Sequence, residues 1–276
     1  MTGGRVLPSD VPAAFDRQAA AYDRLVGANP GYHADLRRAA RAFAPPAGGA
    51  GARLLDLGCG TGASTAALLA AAPNAEITGV DASPGMLARA RSKPWPATVR
   101  FVQGRAEELT GAGAPFENLP CVGGRAEDAA AAGGPLAELV GLSGSADDLA
   151  GVGGPFDGVF AAYLLRNLAD PDAALAAVRC LLRPGGVLVV HDYALRDGPL
   201  ARLVWHAVCW GVIIPAGRLA AGDARLYRYL WRSALDFDSP EALADRIRRA
   251  GFAGVRTRTA RGWQRGIVHT VRAQAP

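Results

Sequence analysis

At 276 residues, half of them hydrophobic, the chain can bury a full core, and one elaborated domain spanning 1–276 is favoured over two. Its 30 basic and 25 acidic residues leave a net charge of +5, but no basic run is interleaved with aromatics, which argues against nucleic acid; an anionic membrane surface or an acidic substrate fits the charge equally well. Cys59, Cys121, Cys180 and Cys209 form no C-x-x-C pair, and His33, His206 and His269 show no ligand spacing, so reduced thiols in a cytoplasmic protein and no metal are expected.

No apolar run follows the first basic residues, so no signal peptide is expected. Residues 11–43 place apolar positions at helical spacing with breaks at Gly27 and Asn29-Pro30-Gly31, which predicts two N-terminal helices. A core over 52–192 then alternates: strand 53–57, helix 62–72, strand 76–80, helix 84–91, strand 98–102, strand 156–163, helix 171–182, strand 187–192. Such alternation predicts an α/β, Rossmann-like fold, a mostly parallel sheet with helices on both faces. Asp170 can cap helix 171–182, Pro171 suits its first turn, and Arg183-Pro184-Gly185-Gly186 would stop it. Residues 199–234 read as a helical lid rich in Trp, Tyr and Arg. Within it the apolar run 203–214, ending at Pro215, is short for a membrane span and suits a pocket wall, a membrane interface or an ordinary core helix. The terminal segment 240–276 reads as a helix over 240–250 capped by Ser239, then strands 255–260 and 266–272 that could close the sheet as an antiparallel hairpin.

Between the third and fourth predicted strands a motif recurs every 20 residues: Gly104-Arg105-Ala106-Glu107-Glu108, Gly124-Arg125-Ala126-Glu127-Asp128 and Gly144-Ser145-Ala146-Asp147-Asp148. Each copy runs into a Gly-rich stretch ending at Pro115, Pro135 or Pro155. The period is confined to this region, so 112–153 reads as a surface insertion with little to offer a core.

The first strand, Leu54-Leu55-Asp56-Leu57, runs into Gly58-Cys59-Gly60-Thr61-Gly62. Alternate glycines let a strand turn sharply into a helix and bring backbone amides against a ligand. Gly58, Gly60 and Ala63 also fit the dinucleotide pattern G-x-G-x-x-G/A. Asp56, however, would repel a pyrophosphate, whereas S-adenosyl-L-methionine (SAM) carries an ammonium and a sulfonium and no phosphate. Asp81 closes the second strand, 19 residues after Gly62, where a carboxylate can accept both ribose hydroxyls of an adenosine. The two acids make SAM the expected cofactor, held by Asp56, Gly58, Gly60, Thr61, Gly62 and Asp81. Ala82 opens the next helix, whose Met86 can cover an adenine face or pack in the core. Arg105 and Ala106 stand where the adenine edge is expected; Ala106 can offer backbone contacts, and a solvent-exposed Arg105 is the plainer alternative.

Several motifs together resemble the ubiquinone/menaquinone C-methyltransferase family of class I SAM-dependent methyltransferases: Phe15-Asp16 with Ala20-Ala21-Tyr22-Asp23, the turn at 54–62, Leu165-Arg166-Asn167-Leu168, Leu182-Arg183-Pro184-Gly185-Gly186, Tyr227-Arg228-Tyr229-Leu230 and Ala250-Gly251-Phe252. The likeness covers nearly the whole chain apart from the insertion. It implies transfer of a methyl group from SAM to a ring carbon of a lipophilic, polyprenylated quinol, with Arg166 stabilising a developing phenolate and Asn167 and Tyr22 orienting the ring. Arg166 cannot serve as the base, because a guanidinium stays protonated. His191 and Asp192 end the fifth strand on the ligand side of the sheet, where a general base is conceivable. The aromatic run 205–214 with Tyr227, Tyr229 and Trp231 would suit a greasy tail. The sequence departs from the family at 218–223 and at Trp263 and Arg265, so the resemblance does not fix which acceptor is used. The enzyme is expected in the cytoplasm near a membrane, with peripheral membrane contact left open. Rival readings are an O- or N-methyltransferase of a small phenolic metabolite, a non-catalytic SAM-binding interaction protein and a dinucleotide oxidoreductase.

Overall fold

A computed structural model describes residues 11–43, 45–104 and 155–276, so the insertion read at 112–153 and the residues Arg105 and Ala106 lie outside the described ones. Five parallel strands, β1 (Arg53–Leu57), β2 (Glu76–Asp81), β3 (Val99–Gln103), β4 (Phe156–Ala162) and β5 (Leu182–Tyr193), are extended by an antiparallel pair, β6 (Ala253–Thr259) and β7 (Val268–Gln274). The order β3-β2-β1-β4-β5-β7-β6 reverses direction between β1 and β4, and the crevice outside the carboxyl ends of those two strands is where such sheets hold ligands.

Central strands buried on both faces read as continuous apolar runs rather than alternations, and Leu188, Val189 and Val190 of β5 are all buried. On one face Leu54, Ile77, Phe160 and Val189 meet α2 (Tyr32–Ala40) and α3 (Ala63–Ala71) through Leu36, Ala40 and Leu68. On the other, Leu55, Val159, Leu188 and Val271 meet α5 (Pro171–Leu181) and α9 (Pro240–Arg249) through Leu175, Val178, Leu243 and Ile247. The remaining helices are α1 (Val11–Ala28), α4 (Pro84–Arg91), α6 (Pro199–Val208), α7 (Ile214–Ala221) and α8 (Arg225–Asp236). Three helices share one start signal, a capping side chain followed by proline. Ser83, Asp170 and Ser239 accept the amides of Met86, Ala173 and Ala242 at 3.1, 2.9 and 3.2 Å, ahead of Pro84, Pro171 and Pro240.

Two boundaries differ from the sequence pattern. Arg183-Pro184-Gly185-Gly186 does not separate helix from strand: α5 ends at Leu181 and β5 starts at Leu182, with a register shift opposite Phe156 and Gly158. Gly185 at φ 76° makes that bulge, and the strand edge is tied by Gly185 N–H donating to the Ala275 carbonyl at 3.0 Å. Pro215 does not end the lid helix either. A π-turn over Cys209–Ile213 joins α6 to α7, widening the ladder so that the proline, which has no N–H to donate, sits in a continuous rod.

Gly158 of β4 is required by packing. A Cβ there would come within 2.5 Å of the Phe43 ring, which caps Phe160 edge-to-face at 6.0 Å between centroids. Gly158→Ala is expected to cost about 1–3 kcal/mol in urea unfolding, because Phe43 must leave its place over the sheet; an unchanged midpoint would show that Phe43 moves freely.

Candidate active site

Gly58, Gly60 and Gly62 all have positive φ, at 73, 55 and 88°, so the alternate-glycine pattern is a conformational requirement at each position. The turn is stapled to the end of β2: Gly58 and Cys59 amides donate to the Val80 carbonyl at 2.8 and 2.9 Å. A Cβ on Gly60 would meet nothing within 4 Å, whereas one on Gly58 would strike Leu164 and one on Gly62 would strike Trp95. The middle glycine thus faces open space beneath which amides and carboxylates converge, a cradle suited to the nucleoside and amino-acid parts of SAM.

Asp56 is wholly buried, on the sheet face covered by α3. Its Oδ2 accepts the Ser64 and Thr65 hydroxyls at 2.7 and 2.6 Å, while Oδ1 has no hydrogen-bond partner among the described residues. Burial pushes this carboxyl up to about 7, with the two hydroxyls opposing the shift. The structure therefore places Asp56 behind the glycine turn, tied to α3 through Ser64 and Thr65 rather than exposed to the open space. Asp81 lies at the edge of the open space: its Oδ2 accepts the Gly60 amide at 2.8 Å and its Oδ1 the Ser83 amide at 2.9 Å. Burial raises its pKa as well, opposed by those amides. Ala82 follows at the start of the turn into α4, and Met86 is buried with its amide capped by Ser83.

Helix α1 straps these pieces together. Asp16 accepts the Ser83 hydroxyl at 3.0 Å and the Gly85 amide at 2.5 Å, which fixes the N-terminus of α4. Seven residues on, Asp23 accepts the Thr61 hydroxyl at 2.6 Å and pairs with Lys93 at 3.2 Å, and Lys93 also donates to the Thr61 carbonyl at 2.7 Å. These partners outweigh the partial burial of Asp23 and hold its carboxyl below the ordinary range. Tyr22 sits on this helix, and its side chain lies outside the described ones.

Beyond the carboxyl ends of β4 and β5, a cavity of about 420 Å³ opens between α1, the α6–α7 rod and α8. Trp205, Cys209, Ile213, Leu230 and Trp231 give it an apolar wall, and Leu25 and Val26 of α1 close one side. Arg166 is the only charged residue among the described lining residues. It is held from three directions: its Nη1 pairs with the buried Asp192 Oδ1 at 2.6 Å and donates to the Tyr163 carbonyl at 2.9 Å, and its guanidinium stacks 4.8 Å over the Tyr193 ring. Burial raises the Asp192 carboxyl, with the Arg166 charge opposing.

Tyr163 is a non-glycine residue at φ 56°, a conformation that persists only when its surroundings over-determine it. Its carbonyl accepts both Arg166 and the Asn167 amide group, the latter at 2.9 Å; its ring stacks on Tyr32 at 5.3 Å; its hydroxyl lies 3.2 Å from His191 Nε2. Asn167 in turn accepts the Tyr229 hydroxyl at 3.3 Å and is not among the lining residues, nor is Tyr229. His191 faces Tyr163 on one side and Thr270 Oγ1, at 2.8 Å, on the other. Burial depresses its pKa to about 3, so it is a neutral bridge.

Asp16, Asp23, Lys93, Tyr163 and Tyr193 carry much of this geometry without having stood out as site residues. The two acids belong to the Phe-Asp and Tyr-Asp pairs of α1, but nothing in their spacing shows which loop they grip. On the far side of the cavity, a Cβ on Gly217 of α7 would fall within the Tyr227 ring, so that ring packs directly on the helix backbone.

Comparison with known proteins agrees with this architecture. A family model described as "Methyltransferase domain" matches residues 31–257. The demethylmenaquinone methyltransferase of Clavibacter sepedonicus is 31% identical over 254 residues, covering 91% of this chain and 85% of that protein; its Thermus thermophilus counterpart is 32% identical over 239 residues, covering 87% and 91%. A Bradyrhizobium diazoefficiens ubiquinone/menaquinone biosynthesis C-methyltransferase is 31% identical, covering 82% and 75%. Among solved structures, a SAM-dependent methyltransferase of Thermotoga maritima superposes with a TM-score of 0.57 at 19% identity, covering 96% of this chain and 99% of that one. Phosphoethanolamine N-methyltransferase 2 of Haemonchus contortus, solved with SAM, gives 0.60 at 16% identity, covering 99% and 61%. The parallel sheet with its glycine turn, the paired Asp56 and Asp81 and these relatives converge: the chain is a SAM-dependent methyltransferase and belongs to the ubiquinone/menaquinone C-methyltransferase family.

Proposed function

We propose that the chain methylates a ring carbon of a reduced, lipophilic quinone, a quinol of the demethylmenaquinol type. The observation that carries this reading is the cavity with one cation at its polar end and apolar walls elsewhere. An acceptor with a greasy body and a ring hydroxyl that can ionise beside the cation matches both parts. The relatives named as demethylmenaquinone methyltransferases support the same acceptor class.

Bound SAM supplies an electrophilic methyl group. The protein's task is to make a ring carbon nucleophilic, which requires an adjacent hydroxyl to ionise from a pKa of about 10. Arg166 stabilises the phenolate by charge and hydrogen bonding. Asp192 and the Tyr163 carbonyl fix the guanidinium, so its donors need not reorganise as charge develops. Aromatic walls exclude water and hold the ring in line with the donor. His191 is unsuited to take the proton, since its imidazole resists protonation and both nitrogens are engaged. The proton leaves through water to a carboxylate or to solvent.

Incubation with methyl-labelled SAM and a panel of quinols and phenols tests the reading: the label is expected on a ring carbon of a demethylmenaquinol, located by NMR. Label only on oxygen or nitrogen of another phenol would overturn it. Arg166→Ala should lower kcat about 10²–10³-fold with SAM affinity intact, and Arg166→Lys should rescue little, because an ammonium cannot reproduce the planar fork.

The pair also makes a stability prediction. Asp192→Ala leaves a buried guanidinium uncompensated and should cost about 3–5 kcal/mol, whereas Arg166→Met combined with Asp192→Ala should cost less than Asp192→Ala alone in denaturant unfolding.

Asp56 has a pH signature. Its folded pKa of about 7 lies above its ordinary 3.8, so its contribution to stability is full below about 4 and is lost as pH rises through 7. His191, depressed from 6.5 to about 3, works oppositely: its contribution is full above 6.5 and is lost as pH falls. Asp56→Asn removes the first effect alone. The difference in unfolding free energy between wild type and variant should therefore change between about pH 4 and 7 and level off above 8; a pH-independent difference would mean that Asp56 is ionised throughout.

A further inference from the structure

The α6–α7 rod, Pro199–Ala220, is 22 residues long and apolar enough to cross a bilayer by length and composition, yet only 22% of its 18-residue apolar stretch is buried. It cannot span, because its inner face is committed: Trp205, Cys209 and Ile213 wall the cavity, and Trp205 Nε1 donates to the Trp231 carbonyl at 3.1 Å. Its outer face is apolar as well. Leu200, Leu203, Trp210 and Leu219 are 71, 65, 53 and 88% exposed, a run of large apolar side chains that water alone does not favour.

Three observations say what covers this face. The rod contains no acid: between Asp197 and Asp223 the charged residues are Arg202 and Arg218, and Arg228 follows on the exposed side of α8. Cations beside an exposed Trp and leucines are the composition of helices that lie in the interface of an anionic bilayer. The cavity reaches the same face, because Val212 both lines it and is 62% exposed. Trp210 then joins mouth to surface, packing edge-on against the cavity residue Trp231 at 5.5 Å between centroids.

We infer that the outer face of α6–α7 lies flat on an anionic lipid bilayer, with the cavity mouth at Val212 turned toward the acyl chains. The docking rests on the rod alone; the purpose of the mouth, entry of the acceptor from lipid, rests on the lipophilic-quinol reading.

The test is co-sedimentation with phosphatidylglycerol/phosphatidylcholine vesicles containing no acceptor. Wild type should partition onto the vesicles. Leu200→Asp, Leu203→Asp and Leu219→Asp together should weaken partitioning about 100-fold or more, since three largely exposed leucines lose their apolar burial. Arg218→Glu should weaken it about fivefold or more, with the loss screened by high salt. These four side chains touch neither cavity nor cofactor turn, so turnover on a short-tailed, water-soluble quinol should be unchanged and reports that the variants fold. Failure of wild type to bind, or equal binding by the triple variant, overturns docking. So does a concentration-dependent dimer, seen by light scattering, that the triple variant abolishes, since the face would then belong to a second copy. Vesicle binding without turnover on any quinol would leave the docking standing and remove the acceptor reading.

Discussion

The buried Arg166–Asp192 pair is the constraint around which the rest of the site is arranged. A guanidinium taken out of water must be compensated, and a carboxylate with no exposure at the end of β5 does so at 2.6 Å. The Tyr163 carbonyl helps only because that residue accepts a left-handed backbone, and it does so because Tyr32, His191 and Asn167 grip its ring, hydroxyl and carbonyl from separate elements. A single charge at the cavity is thus supported by residues drawn from α2, the loop after β4, β5 and β7.

The glycine turn and the apolar cavity are not independent compartments. Leu164, two residues before Arg166, packs where a side chain on Gly58 would go, so the loop after β4 and the glycine turn touch. Helix α1 bridges them on the other side. Asp16 and Asp23 hold the loops around the open glycine, while Leu25 and Val26 wall the apolar cavity. A disturbance of α1 would be felt in both places, which suits a fold that must align two reactants.

Much of this was legible in the residues. The parallel core followed from apolar runs separated by helices, and Asp170-Pro171 and Ser239 marked two helix starts by local chemistry alone. The glycine turn was legible because positive φ leaves few substitutes. Less local features were not. Pro215 looks like a stop, and only the π-turn, paid for by packing on the cavity side, lets the rod continue. Arg183-Pro184-Gly185-Gly186 looks like a separator, but β7 supplies an edge partner at Ala275 that draws it into the strand. Asp56 reads as a ligand-facing acid, and its burial depends on Ser64 and Thr65 of a helix whose facing the glycines set but do not announce. The roles of Asp16 and Asp23 needed the three-dimensional docking of α1.

Gly217 contributes nothing to the cavity surface, yet the Tyr227 ring that forms part of that surface occupies the volume a side chain there would claim. The dimensions of the cavity are therefore set partly from outside it, by a missing methyl group. Evolution could retune which rings fit without altering any residue that a substrate meets, by enlarging this one position and letting a tyrosine swing inward. Acceptor range in such a fold is a property of what stands behind the wall as much as of the wall itself.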